Sequence, residues 1–111
     1  MAIFVSTSNP SGLLSQVKAA IDSGEIETWE YDNDGDFTHT PPQWKGKAWL
    51  RPSLSPGVLS LGILPQQSVT LGKEVYAVYH GRFIEMLMAH FDDSFSQAQA
   101  TAKLVPPDVY K

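Results

Sequence analysis

Cysteine does not occur in this chain, which excludes disulfides, thiolate metal sites and cysteine nucleophiles and fits a reducing compartment. Basic residues are also scarce: eight Lys and Arg face twelve Asp and Glu, for a formal net charge of −4. Lys45, Lys47 and Arg51 are the one local concentration of positive charge, too small to track a phosphate backbone, so no nucleic-acid partner is expected. No run approaches the ~18 apolar residues of a membrane span. The opening segment is apolar only from Ala2 to Val5 and has no basic flank, unlike a signal peptide. A cytoplasmic protein with no membrane partner is the expectation. There is no phosphate-cradling Gly loop, no Gly-x-Ser-x-Gly elbow and no dinucleotide fingerprint, so no cofactor is expected and a non-enzymatic role is favoured.

What is present is enough apolar material for one core. At 111 residues and 42% hydrophobic content the chain reads as a single domain, residues 1–111. Its most hydrophobic stretch is Val75 to Phe91 (VYAVYHGRFIEMLMAHF), broken only by two His, one Arg and one Glu. Those polar residues are expected near the edge of the core.

Ala2 to Ser6 has the composition of a short strand. Asn9-Pro10 then starts a helix over about 10–23, with Asn9 as N-cap and Pro10 where a missing N–H costs nothing. Leu13, Leu14, Val17, Ala20 and Ile21 make its buried stripe, and Gly24 ends it in a left-handed conformation. Ile26 to Tyr31 and Phe37 to Thr40 form a hairpin around the turn Asp32-Asn33-Asp34-Gly35-Asp36. A third strand over 45–50 is stopped by Pro52, and a central strand covers Val58 to Leu64, with Leu59, Leu61 and Ile63 on the face that helices cover. A second helix over about 71–92, capped by Thr70, takes Tyr76, Tyr79, Phe83, Met86, Leu87 and Phe91 onto one apolar sector. A strand over 74–80 is the competing reading. Residues 94–111 read as a less regular tail. The fold class is α+β: a mostly antiparallel sheet of four to five strands with two helices packed on it.

Four groups can carry function. Tyr79, His80 and Arg82, with Arg51 from the sheet, are the candidates for a small-molecule or anion site, Arg82 holding an anion while His80 moves a proton. Glu85, one turn from Arg82, offers the opposing reading of a surface ion pair. Gly81, mid-helix, suggests a close approach of another backbone, a ligand or a second copy. His90 and Asp93 lie one turn apart, but too few ligands converge, and no metal is expected. Asp32, Asp34 and Asp36 lack calcium-loop spacing; they make an acidic turn that suits a basic partner. Trp29, Tyr31, Phe37 and Trp49 fit half of a core, whereas Trp44, behind Pro41-Pro42, is a candidate exposed contact for a partner.

The leading expectation is a small binding or regulatory module acting through protein contacts, either self-association through the last helix or a sheet edge, or an acidic surface covering a basic partner. The alternative is a ligand site between the last helix and the sheet that uses His80 and Arg82. A bare apolar patch on the last helix would favour the first, and a lined cleft the second.

Overall fold

The computed structural model describes residues 2–66 and 71–103. The elements run β1 (Ala2–Ser6), α1 (Pro10–Asp22), β2 (Trp29–Tyr31), β3 (Phe37–His39), β4 (Ala48–Ser55), β5 (Val58–Pro65), α2 (Lys73–His90) and β6 (Gln97–Ala100). The six strands form one antiparallel sheet in the order β2-β3-β4-β5-β1-β6. The fold is α+β, as its sequence implies, with one strand more than expected.

Local signals account for the first helix. Asn9 accepts the Gly12 N–H through its side chain, Pro10 opens the helix, and Leu13, Val17 and Ala20 are its buried residues. Gly24 follows at φ 85°, the left-handed geometry that glycine adopts without penalty. In β5 the alternation holds too: Leu59, Leu61 and Ile63 are buried beside Ile3 and Val5 of β1 and Leu50 of β4. Both helices pack on this face. Tyr76, Tyr79, Phe83, Met86 and Leu87 join α2 to the same cluster as Leu13 and Val17 of α1. Neither helix covers the other face, where Phe4, Trp49 and Leu64 sit half-buried among Ser6, Ser53, Ser60, Gln97 and Gln99.

Apart from ends that move by one or two residues and a later start of β2, at Trp29 rather than Ile26, three features differ from the sequence expectation. β4 starts at Ala48 and runs through Pro52 to Ser55 rather than stopping at Pro52. The Thr7 N–H bond to the Gly57 carbonyl sets the alternation across β1 and β5, so Ser53 and Arg51 turn their backbone groups to β5 and Pro52 faces the other flank. On that flank β3 reaches only to Phe37 opposite Leu50, so the N–H that Pro52 lacks has no strand to bond. α2 begins at Lys73 with Gly72 as its cap, without a side-chain bond; Thr70, the expected cap, lies outside the described residues. The helix, not the strand alternative over 74–80, is the structure of this segment.

The third difference is β6. Residues 97–100, inside the segment expected to be irregular, add a strand to the free side of β1. Ala2 and Thr101 close its end: the Thr101 N–H donates to the Ala2 carbonyl, and the Ala2 N–H donates to the Thr101 hydroxyl, both at 3.0 Å. No described helix is long and apolar enough to cross a membrane.

Candidate functional site

The residues proposed for a ligand site do not converge. His80 sits one turn after Tyr76 and one before Phe83, so it lies inside the apolar stripe of α2 rather than at its rim, and it is 1% exposed. Its Nδ1 lies 2.6 Å from the Tyr76 carbonyl, and its ring packs 4.9 Å from the Tyr76 ring. Arg82, two residues on, points the other way: more than half exposed, it pairs with Glu85 at 3.5 Å, the surface ion pair of the opposing reading. Tyr79 is fully buried; its hydroxyl donates to the Trp44 carbonyl and lies 3.0 Å from the Thr38 hydroxyl. It fastens the 41–47 loop to the core. Arg51 is on the uncovered face of the sheet, away from all three.

Gly81 gives no support to a close approach. A Cβ built there meets nothing within 4 Å, and the residue is exposed.

Arg51 instead belongs to the acidic turn. Its Nε and Nη2 donate to the two oxygens of Asp36, whose side chain is almost entirely buried. This hydrogen bond, with the Asp36 charge behind it, raises the already high pKa of Arg51. Asp32 Oδ1 accepts the N–H groups of Asp34 and Asp36, and Gly35 turns the chain at φ 83°. The three carboxylates bring oxygens within 4.8 Å of one another. Asp32 is engaged by backbone and Asp36 by Arg51, so Asp34 is the carboxylate of the three with no hydrogen bond to a described residue. His90 faces Glu25 at 3.8 Å rather than Asp93.

Trp44 is half-buried rather than free, packed against the core cluster. With Arg82 it does reach a common place: both line a cleft between the outer side of α2 and the end of the β2–β3 hairpin, together with Trp29, His39, Pro41 and Met86. His39 lines the same cleft. Its strand position opposite Trp29 is what brings it here, and that register is set by the hairpin turn.

The apolar sector of α2 is closed. Tyr76, Tyr79, Phe83, Met86 and Leu87 are buried, and Met88, at 62%, is its large exposed hydrophobic residue. Among the described residues the outer edge of β6 is open, and β2 is the edge at the other end of the sheet. Thr101 bonds to Ala2, so Gln97 and Gln99 turn their backbone groups to β1, and Ala98 and Ala100 turn theirs outward. This edge carries neither charge nor proline, two devices that usually blunt a free strand.

No family model, no curated protein and no solved structure matches this chain.

Proposed function

We propose that the protein acts by binding another protein chain, and that the contact is made by the outer edge of β6 with a second copy of the same strand. The single observation that supports this is the outward-facing pair Ala98 and Ala100 on an uncharged, proline-free edge strand. Self-association through the last helix has less behind it, because that helix spends its apolar side on its own core. An acidic surface covering a basic partner also has less behind it, since Asp36 and Asp32 are already engaged within the turn.

The geometry prescribes a register. Antiparallel strands place opposite residues on the same face, so an edge built from Ala98 and Ala100 pairs with itself about a two-fold axis at Gln99. Ala98 of one copy then exchanges N–H and C=O bonds with Ala100 of the other, and the axis repeats the exchange. The Ala98 and Ala100 side chains share the helix-covered face with Ile3 and Val5, and being small they add little bulk at the seam. The two Gln99 side chains meet on the uncovered face.

Light scattering at increasing concentration tests this. A dimer mass is expected for the natural chain and a monomer for Gln99→Lys, which sets two like charges opposite each other without touching the fold. Ala98→Pro, which removes an outward N–H only, is expected to do the same. A chain that stays monomeric at high concentration, or a dimer indifferent to both variants, overturns the proposal.

A further inference from the structure

At the far end of the sheet from β6, a cavity of about 370 Å³ opens between α2 and the β2–β3 hairpin. Its floor is His39, 5% exposed, with the Trp29 ring tilted 35° against it at 4.5 Å. His39 Nδ1 lies 2.7 Å from the Thr28 carbonyl. A carbonyl only accepts, so Nδ1 carries the proton and, in the neutral ring, Nε2 carries the lone pair. Nε2 makes no hydrogen bond to a described residue and is not sealed from the surface, so it opens on the cleft that His39 lines.

Burial is the main force holding the ring below the ordinary histidine pKa; the Thr28 carbonyl opposes it, Arg82 adds to the lowering and Glu85 opposes it least. Near neutral pH the floor is therefore an uncharged acceptor. Trp29 has the complementary shortage, an indole N–H that is buried without an acceptor among the described residues. Pro41, Trp44 and Met86 supply apolar walls. At the mouth, Arg82 and Glu85 cancel each other's charge, and His90 is turned to Glu25.

We infer that this cleft is a binding site for a small, flat, uncharged heterocycle that donates a ring N–H to His39 Nε2. The chemistry selects each property. An aromatic floor and an apolar wall favour a planar body. A lone pair with no donor rejects a carboxylate or phosphate at the floor, and a mouth whose charges cancel offers a cation no free partner. The site is independent of the β6 edge and stands whether or not the chain dimerises.

The test uses uracil and 1,3-dimethyluracil, which share a plane and carbonyls but differ in their N–H donors. In NMR titrations of the full chain, uracil is expected to shift the His39 ring and the Trp29 and Trp44 indole signals in a saturable way. 1,3-Dimethyluracil is expected to bind roughly tenfold more weakly, the equivalent of one hydrogen bond to a buried group. Ala89→Phe, at an exposed position on the cleft wall, fills the space and should abolish the uracil shifts while leaving the remaining spectrum in place. His39→Ala, if it folds, should lose the discrimination between the two probes. Absence of saturable shifts with uracil, equal affinity for both probes, or shifts that survive Ala89→Phe overturns the inference.

Discussion

Arg51 holds Asp36 by both carboxylate oxygens, Nε to Oδ1 at 3.0 Å and Nη2 to Oδ2 at 2.9 Å, and so ties the hairpin turn to β4. The two partners differ in surroundings: Asp36 keeps 5% of its side-chain surface and Arg51 keeps 50%. Removing the arginine strands a carboxylate that water hardly reaches. Arg51→Ala is expected to cost about 1–2 kcal/mol, below the usual loss for a fully buried pair because half of the guanidinium side is already screened. Urea denaturation of the two proteins measures it. An unchanged midpoint would mean the pair is decorative.

His39 links stability to pH with a definite sign. Its folded pKa lies below the ordinary value, mainly through burial, so below about pH 6.5 the unfolded chain takes up a proton that the folded one resists. Stability contributed by the neutral ring is complete above that point and declines as the pH falls toward the folded value. His39→Gln, which keeps a polar side chain and cannot titrate, should flatten the part of the stability profile just below neutrality. Denaturant midpoints measured across that range for both proteins provide the comparison.

Tyr79→Phe is the cleanest probe of the tether on the 41–47 loop. The hydroxyl is paired with the Trp44 carbonyl and the Thr38 hydroxyl in the interior, so its loss should destabilise by about 1–2 kcal/mol. Faster amide exchange in the loop, with protection in α1 unchanged, is the signature that separates a released loop from a general loosening.

Gly81→Ala should stabilise the protein by about 0.5–1 kcal/mol. The helix gains a better former, and the new methyl meets nothing within 4 Å. The same change at Gly24, held at φ 85°, should destabilise. Thermal melts of the pair check both directions.

Where cues were local, they were readable. Asn9-Pro10 and Gly24 bracket α1, the alternation of Leu59, Leu61 and Ile63 identifies the central strand, and the apolar wheel from Tyr76 to Leu87 describes the buried side of α2. β6 was not readable, because Gln-Ala-Gln-Ala has little hydrophobic signal and becomes a strand only through β1, which lies almost the whole chain away. Pro52 was misread for a similar reason: whether proline stops a strand depends on which flank has a neighbour. The site followed the same rule. His80 falls on the apolar wheel by spacing alone, four residues after Tyr76 and three before Phe83, but its polar type suggested an edge. His39 became prominent only once the hairpin register set it against Trp29.

The hydrogen bonds between Ala2 and Thr101 also order events during folding. The strand nearest the beginning of the chain cannot gain its first neighbour until the β5 region exists, and cannot gain its second until the region past α2 has been made. Loop closure over such a span is slow compared with zipping the adjacent β4–β5 hairpin. On a ribosome, Ile3 and Val5 would therefore wait as uncovered hydrophobic surface longer than any other part of the core, and a growing chain is most vulnerable there to sticking to its neighbours.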